Sequence, residues 1–205
     1  MFFSMFIKFI LPVSFMCYNF GKKFNMFNYF QKVKVSEQEL LPSIYDYEVK
    51  DLSGSNVSMS KFKNKVLIIF NSASKCGLTK NHVEQFNKLH EKYNARGLEI
   101  LAFPTSQFLN QEFDNTKDIC TFNEKNKIKY NMFSPIEVNG DNTHPLFKYL
   151  KKNCDSMHDE NGTLKSIGWN FGKFLVDKNG DVVNYFSPKT NPLDLEKIII
   201  QLLQK

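Results

Sequence analysis

One of the few residues able to do chemistry sits where an α/β protein exposes its strand ends. The stretch Asn71-Ser72-Ala73-Ser74-Lys75-Cys76-Gly77-Leu78-Thr79 places a cysteine after a short apolar run and just before a helical pattern. In an open α/β sheet that is the carboxyl edge of the strands, where ligands bind. A free thiol titrates near ~8.5, and helix N-termini and neighbouring cations stabilise its anion. The helix amides and Lys75 would both favour a thiolate at Cys76. On position alone two roles fit equally: a reactive thiol, or a small cysteine buried in the core.

The remaining cysteines and histidines narrow the chemistry. Cys17, Cys76, Cys120 and Cys154 are the only cysteines, too sparse for a disulfide-stapled scaffold. No CxxC pair occurs, which excludes a zinc ribbon and a thioredoxin-type dithiol motif locally. His82, His90, His144 and His158 are scattered. None forms HExxH or HxH, so each reads as a surface or capping residue and no metal is expected.

The elements around Cys76 follow from hydrophobic patterning. Lys65–Asn71 contains a continuous apolar run, as in a strand buried on both faces of a sheet. Asn81–Asn94 carries Val83, Phe86, Leu89, His90 and Tyr93 at helical spacing and ends at Gly97. Leu98–Pro104 is a second buried strand, which completes a βαβ crossover. Upstream, Ile44–Lys50, a Ser-Gly-Ser-Asn turn and Val57–Met59 read as a hairpin. Downstream, a helix is expected from Asp114 to about Lys129, capped by Asp114 or Asn115, and another over Pro145–Lys152, capped by Thr143. Phe174–Tyr185 reads as a hairpin around Asn179-Gly180. Pro192–Gln204 closes the chain as a helix capped by Asn191. The order ββ-βαβα-α-ββ-α predicts an α/β protein of thioredoxin-like fold: a central mixed β-sheet flanked by helices, with an N-terminal β-hairpin.

Charge separates this domain from what precedes it. The 205 residues carry a net +6, but residues 1–36 hold five lysines and no Asp or Glu. Residues 37–205 then balance 22 basic against 21 acidic side chains. The basicity belongs to the N-terminal segment, and Arg96 is the only arginine, so nucleic acid is not an expected partner. The apolar stretch Phe9–Tyr18 is too short to span a bilayer, which needs roughly 20 residues. With Lys8 before it and the basic stretch GKKFNMFNYFQKVKVS after it, it reads as a targeting leader over residues 1–36. A signal-like piece followed by a transit-like piece suggests a plastid-type (apicoplast) destination. A mitochondrial presequence is the alternative, an uncleaved anchor or start-site artefact a third reading, and an alternative start would add the cytosol. Residues 37–205 form the domain, and Cys17 receives no chemical role.

Three sequence blocks carry a resemblance. Asn71–Thr79 is similar to the loop N-V-A-S-x-C/U-G-x-T of the glutathione peroxidase family, with Ser72 in place of valine. Phe103-Pro104-Thr105-Ser106-Gln107-Phe108-Leu109-Asn110-Gln111-Glu112-Phe113 is similar to the family's F-P-C-N-Q-F-x-x-Q-E-P, and Trp169–Val176 to its W-N-F-x-K-F-L-V. Val138–Leu146 matches as well, and the resemblance runs in order through about residues 42–205. It implies a peroxidase that reduces hydrogen peroxide and organic or lipid hydroperoxides in antioxidant defence. It also implies a catalytic tetrad of Cys76, Gln111, Trp169 and Asn170.

The residue types suit that implication. A thiolate attacks one peroxide oxygen and the other leaves as alkoxide or hydroxide. The amides of Gln111 and Asn170 and the indole N–H of Trp169 are neutral donors suited to the leaving oxygen and to an ionised sulfur. Gln107 reads as structural. Cysteine occupies the position that is selenocysteine in some relatives, so no selenium and no other cofactor is expected. The sulfenic acid formed at Cys76 would condense with a second thiol. The resemblance points to Cys120 for this role, one helical turn earlier than the usual family position. Cys154 is the competitor, an enzyme without a resolving cysteine is the third case, and the family's cysteine in the second block is Thr105 here. A disulfide requires Cα atoms within roughly 4.4–6.8 Å, so the helix bearing Cys120 would have to unwind locally. Thioredoxin is the implied reductant, with glutathione a weaker one because its carboxylates favour arginine forks. The short segment Asp155–Ile167 lacks the longer insertion associated with tetrameric relatives, so the resemblance implies a monomer or weak dimer. A redox relay that passes its disulfide to a partner protein is the alternative function, and a binding module that has lost its chemistry is a third.

Overall fold

Seven strands and four α-helices make up the part of the chain that the structure, a computed structural model, describes: residues 40–205. The leader expected over 1–36, Cys17 and the expected boundary at 36/37 lie outside the described residues. The strands are β1 (Glu48–Lys50), β2 (Asn56–Ser58), β3 (Val66–Ser72), β4 (Leu98–Pro104), β5 (Asn131–Met132), β6 (Lys173–Val176) and β7 (Val182–Phe186). The helices are α1 (Thr79–Tyr93), α2 (Thr116–Lys125), α3 (Pro145–Lys152) and α4 (Glu196–Gln204).

β3 is buried at all seven positions. Continuous burial means that both faces of the sheet are covered, which is why its sequence is an unbroken apolar run rather than an alternation. It pairs in parallel with β4 and antiparallel with β6, in a mixed five-stranded sheet of order β5-β4-β3-β6-β7. Alternate residues feed two cores. Leu67, Ile69, Leu101, Phe103 and Phe174 pack with α3, the β1–β2 hairpin and the 3-10 turn after it, through Phe147, Leu150, Val49 and Met59. Ile68, Phe70, Ile100, Ala102 and Leu175 pack with α1 and α4, through Phe86, Leu89, Ile199 and Leu202. The thioredoxin-like sandwich read from the sequence is the observed one.

Several boundaries differ from expectation. Ile44–Asp46 is a 3-10 turn, not the start of a strand, because Ser43 and Asp46 form a reciprocal capping box. α2 spans Thr116–Lys125, shorter than expected, with Asn115 as its cap. The cap of α3 is His144, whose ring accepts from the Leu146 amide. Thr143 instead donates its hydroxyl to the Gly140 carbonyl at 2.6 Å. The closing helix begins as a 3-10 turn over Pro192–Leu195. The two-residue β5 escaped the sequence reading because nothing so short has a periodicity.

Three loops share one device, Asp-x-x-Gly-x. Asp51, Asp159 and Asp177 each accept, through Oδ1, the amides two and four residues on. Each also accepts, through its carbonyl, the N–H of a glycine with positive φ. The β6–β7 connection is thus the five-residue loop 177–181, closed by the Asp177 amide on the Asp181 carbonyl, not a two-residue Asn-Gly turn. At Gly180, φ is +95° and an added Cβ would lie 2.7 Å from the Tyr45 ring. Gly180→Ala should therefore combine left-handed strain with an overlap against a core aromatic, and lower stability by roughly 1–3 kcal/mol in urea unfolding.

Candidate active site

Cys76 lies in the six-residue turn between β3 and α1, and only 8% of it is exposed. Thr79 closes this turn: its hydroxyl donates to the Ala73 carbonyl at 2.6 Å and its amide to the Cys76 carbonyl at 3.0 Å. The turn is also held from outside. The Lys75 amide donates to the Gln111 carbonyl at 2.8 Å, and the Ser74 amide to the Glu112 carboxylate at 3.1 Å. Glu112 is almost fully buried; burial raises its pKa, against the hydrogen bonds from Ser74 and Phe113 that lower it. The Lys75 ammonium donates to the Glu112 carbonyl at 3.2 Å and stands 4.2 Å from the centre of the Phe113 ring. The Lys75 side chain is thus held against the neighbouring loop.

The expected amide donors converge on the same edge. Asn170 is fully buried, and its Nδ2 donates to Gln111 Oε1 at 2.9 Å. With its oxygen so used, Gln111 has its amino group left as the donor end. Trp169 is half-buried, packs against both cores, and lies 5.8 Å, ring to ring, from Phe108.

A residue whose role the sequence reading had not singled out ties the two halves together. Asn71, fully buried at the end of β3, donates from Nδ2 to the Trp169 carbonyl at 3.1 Å. Its Oδ1 accepts from the Gly172 amide at 3.0 Å, and its own carbonyl accepts from the Phe171 amide at 2.7 Å. This staple lets Phe171 adopt a left-handed φ of 67° and turns the segment after Asn170 back into β6. The one available signal was an amide directly following a run of five apolar strand residues.

The sequence model of glutathione peroxidases matches residues 44–151. The glutathione peroxidase homolog BsaA of Bacillus subtilis is 46% identical over 164 residues, covering 80% of this chain and 99% of that protein. An Arabidopsis thaliana protein named "Probable glutathione peroxidase 3, mitochondrial" is 46% identical over 162 residues, covering 78% of this chain and 76% of that one. Among solved structures, T. cruzi GPX1 superposes with a TM-score of 0.62 at 33% identity, over 79% of this chain and 97% of its own. The chain belongs to the glutathione peroxidase family. It is a peroxidase, an oxidoreductase of thioredoxin-like fold. A thiol:disulfide interchange protein of Chlorobium tepidum shares that fold, with a TM-score of 0.58 at 14% identity over 82% of this chain and 99% of its own.

In this peroxidase Cys76, Cys120 and Cys154 are all free thiols. Cys154 is 1% exposed, within 3.3 Å of the Ser156 hydroxyl, and belongs to the core on the α3 face. Cys76 belongs to the core on the opposite face of the sheet. Cys120 is half-buried on α2, in which Ile119 is the one fully buried side chain. Two residues on, Phe122 lines a small cavity beneath the Cys76 turn together with Ser72, Ala73, Ser74 and Phe171. Its ring also lies 6.4 Å from that of Phe113. Among the described residues no cluster of His, Cys, Asp and Glu could hold a metal.

Two further features are costly to maintain. Leu109 and Asn110 have φ of 54° and 51°, and Leu109 is 78% exposed. Leu109→Gly should relieve about 1 kcal/mol of strain, less glycine's entropic cost, and raise the melting temperature by up to a few degrees. Lys173, fully buried, donates to the Phe171 carbonyl at 2.7 Å and lies 3.4 Å from His82 Nε2. His82 Nδ1 lies 3.0 Å from the Leu78 carbonyl. Burial pushes Lys173 down to about 7, partly opposed by Asp194. Burial and the Lys173 charge push His82 down to about 4. The unfolded chain then binds more protons at Lys173 between pH 7 and 10.5, so stability rises with pH in that window. Urea titrations at pH 7 and 9.5 should show the native protein gaining on the order of 2 kcal/mol relative to Lys173→Met.

Proposed function

We propose that this enzyme reduces hydrogen peroxide and organic or lipid hydroperoxides through Cys76, and that thioredoxin recycles it through a disulfide with Cys120. The single observation that carries the reading is the convergence of the Cys76 turn and the Gln111–Asn170 amide pair on one sheet edge. The Cys76 thiolate attacks one peroxide oxygen, the O–O bond breaks, and the second oxygen leaves with the bonding pair. Gln111, Asn170 and the Trp169 indole supply neutral donors to that oxygen, which takes up a proton to leave as water or alcohol. Cys76 is left as a sulfenic acid. The Cys120 thiolate then attacks the Cys76 sulfur; the S–O bond breaks, and hydroxide leaves and takes up a proton from solvent as the disulfide forms. No selenium and no bound cofactor takes part; the thiol reductant is a co-substrate.

The position of α2 supports Cys120 as the resolving residue. The helix lies beside the Cys76 turn through Phe122, yet one fully buried side chain anchors it. It can therefore unwind at small cost to bring the two Cα atoms within disulfide range. Cys154 would have to cross from one core to the other. Thioredoxin is favoured over glutathione by the scarcity of arginine, Arg96 being the only one. A monomer or weak dimer is the expected assembly. Residues 1–36 act as a leader to a plastid-type organelle, and the mitochondrial destination in the name of the Arabidopsis relative supports the alternative.

Turnover should be followed as NADPH consumption with hydrogen peroxide, coupled through thioredoxin and separately through glutathione. The expected outcome is thioredoxin-driven turnover that falls at least tenfold in Cys120→Ser and is abolished in Cys76→Ser. Equal turnover in Cys120→Ser would move the resolving role elsewhere, and a preference for glutathione would overturn the choice of reductant. A stable mixed disulfide with one partner protein, without steady-state turnover, would instead favour a redox relay.

A further inference from the structure

The loop carrying Gln111 and the segment carrying Trp169 and Asn170 are bridged twice. The direct bridge is the Asn170–Gln111 hydrogen bond at 2.9 Å. The second runs through two other amide side chains. Gln107, four residues before Gln111, accepts at Oε1 from the backbone amides of Val138 at 2.7 Å and Asn139 at 3.0 Å. Its Nε2 donates to the Asn139 carbonyl at 2.9 Å and to Glu137 at 3.3 Å. Asn139 in turn spends its whole side chain on the backbone of one residue, Ile167. Its Nδ2 donates to the Ile167 carbonyl at 2.8 Å and its Oδ1 accepts from the Ile167 amide at 2.9 Å. Ile167 is buried and stands two residues before Trp169. The path Gln107–Asn139–Ile167–Trp169–Asn170–Gln111 therefore closes on itself, and Asn71 holds the far side of the Trp169–Asn170 segment.

We infer that Asn139, itself held by Gln107, is a positioning residue that sets Trp169 and Asn170 against Gln111 for attack on the peroxide. The physical reason is that Asn139 holds both peptide groups of Ile167, whereas the chain before it is tied back at the His158–Leu164 bridge and by the Lys165 amide to the Met157 carbonyl, farther from Trp169. Residues 161–166 and Gly168 are exposed, and between the 3-10 turn ending at Met157 and β6 no regular element supports the chain. Without Asn139 the Ile167 peptide groups lose both partners, and the indole and the Asn170 amide are left to the Asn71 and Gln111 bonds and to packing, with more room to shift. A misplacement of about 1 Å costs up to about 100-fold in rate when donors must be pre-aimed. The inference rests on the reading that Gln111, Trp169 and Asn170 stabilise the leaving oxygen.

The test is a double-mutant cycle read in a single half-reaction, the second-order rate of Cys76 oxidation by hydrogen peroxide, followed as loss of titratable thiol in Cys120→Ser protein. Asn139→Ala should slow this rate by about 10- to 100-fold in the otherwise native site. In an Asn170→Ala, Trp169→Phe background the same substitution should cost less than about twofold, because it acts through those residues. Gln107→Ala should produce a smaller loss that is not additive with Asn139→Ala. Asn139→Asp, which keeps the acceptor for the Ile167 amide and loses the donor, should fall between and serves in place of alanine if that variant does not fold. An equal loss in both backgrounds, or none in the native one, would overturn the inference. If Asn170→Ala, Trp169→Phe itself left the rate unchanged, the reading of the active site would fail instead.

Discussion

The side chain of Asn71 is the contact on which the site depends. It stands next to last in β3, after five apolar residues, at a place where both faces of the sheet are covered and its side chain is fully buried. A buried amide there must find partners within the protein, because leaving it unpaired costs about 1–3 kcal/mol per group. It finds them in the Trp169 carbonyl and the Gly172 amide. The strand that delivers Cys76 and the segment that delivers Trp169 and Asn170 are far apart in sequence. Asn71 makes them one rigid edge, and the left-handed residue Phe171 is tolerated because those bonds hold it.

Around that edge the protein uses neutral hydrogen-bonding groups instead of charges. Asn71, Gln107, Gln111, Asn139 and Asn170 form the framework, and none changes its charge with pH. In the proposed mechanism such donors are always available and need no proton transfer before the O–O bond breaks. The ionisable groups close by do other work. Glu112 receives the amides of Ser74 and Phe113, Lys75 lies over Phe113, and the buried Lys173–His82 pair joins the Phe171 carbonyl to the start of α1. These contacts shape the backbone on either side of Cys76.

Stability is distributed to suit the chemistry. β3, β4 and β6 are buried almost throughout, whereas α2 is held by Ile119 and by the aromatic contact of Phe122 with Phe113. A rigid sheet edge keeps the donors aimed. A lightly anchored helix bearing Cys120 is suited to the larger motion that the proposed disulfide with Cys76 would demand. Cys154 lacks such freedom, being packed in the core on the other face.

How much of this was legible beforehand depended on the range of the interactions. The continuous apolar runs of β3 and β4 and the helical spacing of Val83, Phe86 and Leu89 are local patterns, set by backbone periodicity, and they determined the sandwich and the place of Cys76. The three motif blocks determined the family and named Cys76, Gln111, Trp169 and Asn170. The cap of α3, the ends of α2 and the strand β5 were not legible, because competing caps differ by less than tertiary packing contributes and a two-residue strand has no period. Only the tertiary structure decided that Lys75 turns to Glu112 and Phe113, that Cys154 lies across the sheet from Cys76, and that Asn71 and Asn139 hold the Trp169–Asn170 segment. An amide side chain has the same formula on a surface as at the end of a buried strand. What it does is decided by which backbone groups, 28 residues away for Asn139 and 98 for Asn71, the fold leaves without any other partner.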